Sequence, residues 1–224
     1  MNRFARGELD KFIYDNCINN VLEDGVAIEI GGHDGGWLSI SRFFERELKF
    51  KTILVEPIKR LFEQSKINRP NSVHLNYAVS KKRGFTNIVK PSNDNIQEIS
   101  SLEDGLNVNW KQAWGLTKIE QVTSLHMQDI IDETQLSYVD LFVIDVEGHE
   151  LDVLETTDFN KVEVGIITIE MLSTLPTYPY FKEKDDQCRA YLKSKGFIHA
   201  HSTTGDEIWV NPNYSRKNKL FTPK

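Results

Sequence analysis

The chain has 224 residues, of which 39% are hydrophobic and 27% are charged, and this balance suits one globular domain with a substantial core. Its formal net charge of -6 argues against general nucleic-acid binding, which depends on a basic surface. The sequence has no run of the roughly 20 apolar residues that a membrane-spanning helix needs. We therefore expect a soluble, cytoplasmic protein with a single domain over residues 1–224.

The first part of the chain alternates predicted helices and strands. We expect a helix at about 8–22, a strand at 26–30, a helix at 37–48, a strand at 52–55, a helix from Pro57 to about 68, and a strand at 73–79. The strands are compact apolar runs, which is typical of strands buried on both faces. Their alternation with helices predicts a parallel sheet with right-handed crossovers.

The middle of the chain interrupts this pattern. Residues 91–109 are rich in Asn, Ser, Asp and Gly, and we interpret an insert over about 91–116 as a lid on the acceptor side of a site. The remaining predicted elements are strands at 85–89, 117–125, 139–146 and 164–169, helices at 126–133, 150–155 and 181–195, and a hairpin pairing 197–201 with 207–210. The predicted fold class is α/β, with a mostly parallel central sheet flanked by helices and a C-terminal antiparallel hairpin.

A glycine-rich turn follows the first strand. It contains Glu29, Gly31, Gly32, His33, Asp34 and Gly35. Such a turn between a strand and a helix lets a nucleotide-like ligand approach the backbone. His33 stands where a dinucleotide fingerprint needs its middle glycine, which disfavours NAD, and a Gly-Lys-Ser/Thr phosphate loop is absent from the sequence. S-adenosylmethionine carries an ammonium group instead of phosphates, and the Glu29 carboxylate suits that group.

Two further strand ends carry candidate cofactor residues. Glu56 ends the second strand, where an acidic side chain can accept hydrogen bonds from both hydroxyls of an adenosine ribose. Asn76 and Ala78 end the third strand, where a polar and a small residue can border an adenine ring. NAD enzymes use the same acidic position, so Glu56 alone does not choose between cofactors.

A titratable cluster follows the most hydrophobic strand. It comprises Asp145, Glu147 and His149, and Glu170 at the end of the next strand can converge on them. Buried charges need solvent, partners or a ligand, which makes this cluster a candidate catalytic site. The carboxylates Asp145, Glu147 and Glu170 can orient an acceptor, remove its proton or bind a divalent metal ion. The pattern leaves these roles open.

Taken together, the motifs resemble the FkbM family of methyltransferases. The matching stretches are Glu29–Gly35, Leu54–Pro57, Asn76–Ser80, Thr123–Leu125, Ile144–Glu150 and Ile167–Glu170. The resemblance implies a Rossmann-like methyltransferase fold, S-adenosylmethionine as cofactor, and O-methylation of a sugar, glycan or related small molecule. The sequence differs from the family pattern in Glu29, where aspartate is frequent, and in His33, where asparagine is frequent.

Methyl transfer to a hydroxyl requires alignment of the reacting atoms and benefits from a base. His149 and Asp145 are the candidate bases, because imidazole titrates near neutrality and a carboxylate can accept the proton directly. Two alternatives remain at this point: a nicotinamide-dependent oxidoreductase, and a non-catalytic binding module with a methyltransferase fold.

Overall fold

The computed structural model describes residues 9–18, 24–36, 38–93 and 96–216. The helices are α1 (Leu9–Asn16), α2 (Ser41–Leu48), α3 (Lys59–Asn68), α4 (Val108–Ala113), α5 (Met127–Thr134), α6 (Glu150–Glu155) and α7 (Lys182–Ser194). The strands are β1 (Val26–Ile30), β2 (Lys51–Val55), β3 (Val73–Leu75), β4 (Ala78–Val79), β5 (Gly84–Pro91), β6 (Ser101–Leu102), β7 (Leu116–Leu125), β8 (Tyr138–Ile144), β9 (Glu163–Glu170), β10 (Ile198–Ser202) and β11 (Asp206–Val210).

Seven strands form the central sheet, in the order β10-β11-β9-β8-β1-β2-β3. The pairs among β3, β2, β1, β8 and β9 are parallel, whereas β11 runs antiparallel to both β9 and β10. The structure therefore confirms the predicted α/β class, with its mostly parallel sheet and terminal antiparallel hairpin. The carboxyl ends of β1, β2 and β8 meet at one edge, which is where ligands bind in open sheets of this kind.

The two faces of the sheet carry separate apolar cores. Leu9 and Ile13 of α1 and Phe43 and Phe44 of α2 cover one face. On the opposite face, apolar residues of α5, α6 and α7 pack against alternate residues of the same strands. Because side chains alternate across a strand, the continuous apolar runs of β1, β8 and β9 supply both faces at once.

The prediction of one strand over residues 73–79 is wrong. β3 ends at Leu75, and β4 pairs instead with β7 in a second sheet. The break falls at Asn76, whose side-chain amide donates hydrogen bonds to the carbonyl oxygens of Glu56 and Pro57, at 2.8 and 2.9 Å. These bonds hold the chain at the end of β2 while it turns out of the central sheet.

The insert is more ordered than the sequence predicts. It belongs to a four-stranded sheet with the order β4-β7-β5-β6, in which β5 and β7 form the long antiparallel pair. The supposedly irregular residues also contain a short 3-10 helical turn at Gln97–Ile99 and the helix α4. Their short lengths explain why no sustained period marks them in the sequence.

Several predicted boundaries need correction. The helix expected from residue 37 begins at Ser41, the strand expected to reach 146 ends at Ile144, and the first helix ends at Asn16. Parts of two predicted helices lie outside the described residues, namely residue 8, residues 19–22 and Trp37. Within the described ranges, no helix is both long and apolar enough to cross a bilayer.

Candidate functional site

A cavity opens at the carboxyl ends of β1, β2 and β8. Its walls include nine of the residues predicted from the sequence: Glu29, Gly31, Gly32, His33, Glu56, Ala78, Asp145, Glu147 and His149. Four other predicted residues, Asp34, Gly35, Asn76 and Glu170, are not among its lining residues. The predicted cofactor and catalytic groups thus meet in one place, with the glycine turn between them.

Gly31 sits where the glycine turn crosses the end of β8. It has a φ of +83°, and a Cβ atom added there would lie 1.7 Å from the carbonyl oxygen of Asp145. The amides of Gly31 and Gly32 both donate to the carbonyl oxygen of Val55, at 3.0 and 3.1 Å. Only a residue without a side chain allows this close approach, so Gly31 fixes the distance between the turn and the acidic cluster.

Glu29 is almost fully buried and holds the start of α2 against the sheet. It accepts hydrogen bonds from Ser39 Oγ at 2.7 Å, the Ile40 amide at 3.0 Å and Ser41 Oγ at 2.5 Å. Burial raises the pKa of Glu29, while nearby Arg69 and these donors act in the opposite direction. In the structure the Glu29 carboxylate binds the start of α2, and its contact with a cofactor ammonium stays a prediction.

Arg69, which the sequence analysis missed, supports the same turn from behind. Its guanidinium donates to Ser39 Oγ at 2.9 Å and to the Gly35 carbonyl oxygen at 3.3 Å. It also bonds Ser41 and Thr52 and forms an ion pair with Glu45. Arg69 lies just beyond α3, and its position in the sequence carries no motif, because this network forms only when α3 packs beside α2.

Glu56 is buried at the end of β2. Its carboxylate oxygens each accept one backbone hydrogen bond, from the His33 amide at 2.9 Å and the Ile58 amide at 2.8 Å. Burial raises the pKa of Glu56 to about 7, although both bonds oppose that shift. A carboxylate oxygen can accept more than one hydrogen bond, so Glu56 keeps acceptor capacity for ligand hydroxyls.

The predicted residues outside the cavity wall shape its surroundings. Asp34 Oδ1 accepts a bond from the Gly36 amide, and the Gly35 amide bonds the Gly32 carbonyl oxygen, both at 2.8 Å. Asn76 fixes the end of β2, as described above. Of the two candidate adenine neighbours, Ala78 alone reaches the cavity.

Asp145, Glu147 and Glu170 converge as predicted. Each offers a carboxylate oxygen, and these three atoms all lie within 4.8 Å of one another. Glu147 and Glu170 are buried, and Asp145 is half-buried. Hard oxygen ligands at such spacing are compatible with a divalent cation as well as with a hydrogen-bonded acceptor.

His149 is buried and bonded through both ring nitrogens. Nε2 lies 2.6 Å from the carbonyl oxygen of Asp104, and Nδ1 lies 3.3 Å from Ser101 Oγ. Burial lowers the pKa of His149, which favours the neutral ring. With its nitrogens engaged by the insert, His149 is placed to support the site, whereas Asp145 has the more open carboxylate.

The insert closes the cavity on its apolar side. Leu102 of the insert lines the cavity together with Ile88 of β5, and both pack with Ile58, Leu61 and Ala78. Gln97, Glu98 and Ser100 add polar groups from the same insert. The sequence analysis predicted a lid role for the insert, which stays a prediction. It missed the apolar wall, because isolated apolar residues in short elements give no periodic signal.

The strand order and the cavity together define a Rossmann-like methyltransferase fold. Residues 29–198, well over half of the chain, match a family model described as the methyltransferase FkbM domain. The chain belongs to the FkbM methyltransferase family, which confirms the resemblance seen in the sequence. Its class is that of S-adenosylmethionine-dependent methyltransferases.

Solved structures with a similar fold are more distant. A putative caffeoyl-CoA O-methyltransferase from Staphylococcus aureus shares 9% identity at a TM-score of 0.48, covering 91% of this chain and 80% of that one. A methyltransferase FkbM from Methylobacillus flagellatus KT shares 11% sequence identity at a TM-score of 0.47, covering 90% of this chain and 50% of that one. TrmK from M. capricolum, in complex with S-adenosyl-homocysteine, shares 9% sequence identity at a TM-score of 0.45, covering 94% of this chain and 70% of that one. No curated protein sequence matches the chain.

Proposed function

We propose that the chain is an S-adenosylmethionine-dependent O-methyltransferase that acts on a hydroxyl of a sugar, a glycan or a related small molecule. The observation that carries this proposal is the single cavity in which Glu56 and the Asp145–Glu147 pair lie on either side of the glycine turn. Such a cavity can hold a nucleoside on one side and an acceptor on the other. The net charge of -6 favours an acceptor other than a nucleic acid.

The cavity fits the cofactor in three respects. Gly31 lets the glycine turn lie directly against the end of β8, since a Cβ atom there would overlap the carbonyl oxygen of Asp145. Glu56 can accept hydrogen bonds from the two ribose hydroxyls, and the apolar wall beside Ala78 suits an adenine ring. The amino-acid end would lie along Glu29 and His33, where the turn reaches β8. When bound, S-adenosylmethionine supplies an electrophilic methyl group on a sulfonium.

Asp145 is the residue that we assign as the base. Its half-buried carboxylate lines the cavity, and its carbonyl oxygen lies directly against Gly31. Asp145 would take the proton of the acceptor hydroxyl, whose oxygen would receive the methyl group that the bound cofactor supplies. A positioned base contributes about 10²- to 10⁴-fold to such a step. Glu147 orients the acceptor, and the insert keeps water from the reacting atoms.

The first test is isothermal titration of the protein with S-adenosylhomocysteine, with NAD as the control ligand and with each ligand measured with and without magnesium. We expect S-adenosylhomocysteine to bind and NAD not to bind. No binding of S-adenosylhomocysteine, or a preference for NAD, would contradict the proposal. Tighter binding with magnesium would support a cation at Asp145, Glu147 and Glu170.

An acceptor screen follows from a positive titration. Sugars, amino sugars and glycosides are incubated with S-adenosylmethionine, and the release of S-adenosylhomocysteine is measured. With an active acceptor, the Asp145→Asn variant should have a kcat that is lower by about 10²-fold or more, while it still binds S-adenosylhomocysteine. An acceptor methylated on nitrogen or carbon would contradict O-methylation and leave the methyltransferase class intact.

A further inference from the structure

The turn that presents Glu147 to the cavity has an unfavourable backbone. Glu147 has a φ of +55° and Gly148 a φ of +98°, and a left-handed conformation is costly for a residue with a side chain. Glu150, the first residue of α6, accepts hydrogen bonds through Oε1 from the amides of Val146 and Gly148, at 3.2 and 3.0 Å. This motif turn, residues 146–149, therefore needs support from other segments to keep its shape.

The insert supplies part of this support. The segment from Ser101 to Leu106, here called the insert tip, lies against the motif turn. Ser101 Oγ donates to the carbonyl oxygen of Glu147 at 2.8 Å, and His149 contacts the carbonyl oxygen of Asp104 as described above. The insert tip and the motif turn thus hold each other through bonds that involve both backbones.

Lys184 joins the two segments from a third direction. This residue lies in the first turn of α7, and its Nζ donates to the carbonyl oxygen of Gly148 at 2.9 Å and to that of Gly105 at 3.1 Å. Phe181, just before α7, packs so closely on Gly148 that a Cβ atom there would lie 2.7 Å from its ring. One ammonium group therefore bonds the motif turn and the insert tip at once.

Both segments form walls of the cavity. Leu102 of the insert tip lines it, as do Val146, Glu147 and His149 of the motif turn. We propose that Lys184 is a positioning residue of this enzyme, which fixes the insert tip on the motif turn and so holds the walls of the cofactor and acceptor cavity together. The inference rests on the proposed function, because it assigns to that cavity the role of binding S-adenosylmethionine.

The test compares Lys184→Met with Lys193→Met, a substitution of an exposed lysine on the same helix. Hydrogen–deuterium exchange is followed in peptides covering 99–106 and 146–151, and the dissociation rate of S-adenosylhomocysteine is measured by stopped-flow fluorescence. Lys184→Met should raise the exchange rate of these peptides and the dissociation rate by about tenfold or more, because it removes the two charge-assisted hydrogen bonds to Gly148 and Gly105. Lys184→Arg, which keeps hydrogen-bond donors, should recover part of the loss, and Lys193→Met should match the unchanged protein.

Two results would overturn the role of Lys184. One is that the exchange rates and the dissociation rate of Lys184→Met equal those of Lys193→Met, which would mean that the Lys184 hydrogen bonds do not stabilise the contact between the two segments. The other is faster exchange spread evenly over all peptides, which would mark a general loss of stability. Failure of the unchanged protein to bind S-adenosylhomocysteine would count against the proposed function itself. The exchange measurement on the ligand-free protein would still test whether Lys184 stabilises the contact between the insert tip and the motif turn.

Discussion

Replacing Glu56 with glutamine tests the proposed hydrogen bonds between Glu56 and the ribose hydroxyls of the cofactor. The pKa of Glu56 is raised by burial from 4.5 to about 7, so its ionised form is less favourable in the folded protein by on the order of 3 kcal/mol. Two ribose hydroxyls need the ionised form as acceptor. Binding should therefore weaken about fivefold between pH 7 and pH 6, because the ionised fraction of a carboxyl with a pKa of about 7 falls from about one half to about one tenth.

The assay is titration with S-adenosylhomocysteine from pH 5.5 to pH 8.5. Glu56→Gln should bind about 10- to 100-fold more weakly at pH 8, as expected for the loss of a hydrogen bond to a charged group, and should lose the dependence on pH. Glu63→Gln is a matched control, because Glu63 lies on the exposed side of α3 and its partners Lys59 and Lys66 hold its pKa at about 2. Equal affinity of Glu56→Gln and the unchanged protein, or the same slope with pH in both, would refute the reasoning.

The same substitution should change stability in the opposite direction. Because the folded pKa of Glu56 is raised, its contribution to the free energy of unfolding is fully present below about pH 4.5 and is lost as the pH rises through about 7. Glu56→Gln removes this loss, although its NH2 group leaves one of the two backbone amides without an acceptor at either pH. The effect of the substitution on stability should therefore be more favourable at pH 8 than at pH 5, by up to about 3 kcal/mol. Urea unfolding at pH 5 and pH 8 measures the effect.

Three further substitutions test the framework of the site. Gly31→Ala should abolish S-adenosylhomocysteine binding in titration, since the added methyl would overlap the carbonyl oxygen of Asp145; retained affinity would show that the turn can move aside. Arg69→Met should lower the free energy of unfolding in urea by about 3–5 kcal/mol, because Glu45 loses the charge beside it, whereas a loss under about 1 kcal/mol would show that the network adds little. Tyr214→Phe should cost about 1 kcal/mol in the same assay, for it removes the 3.0 Å bond to buried Asp140; no change would mean that Asp140 is satisfied by its other donors.

The sequence predicts the parallel middle of the central sheet well because β1, β2, β8 and β9 are largely apolar runs. β1, β8 and β9 are buried on both faces. The glycine turn comes directly after β1, and the acidic cluster begins directly after β8, so the strand ends locate both motifs. By contrast, the split between β3 and β4 depends on side-chain bonds of Asn76 to the end of β2. Such a tertiary contact leaves no local pattern.

The supporting residues of the site were equally hidden from sequence analysis. Arg69 and Lys184 act only through segments that are distant in the chain, and Leu102 belongs to a strand of two residues. Glu29 was identified by its place beside the glycines, but its three donors come from the start of α2. Patterns of residue type predicted the candidate site, whereas the contacts that support it are seen only in the folded structure.

The central position of β1 has a consequence for the order of folding. β1 pairs with β2, which follows it closely, and with β8, which begins at Tyr138. The amide of Val26 bonds the side chain of Asp140, 114 residues further along the chain. During synthesis, one edge of β1 must therefore wait for β8 to leave the ribosome, while the antiparallel pair of β5 and β7 closes over a shorter span. The four-stranded sheet of β4, β5, β6 and β7 can then form before β8 is available and be in place when the glycine turn closes against Asp145.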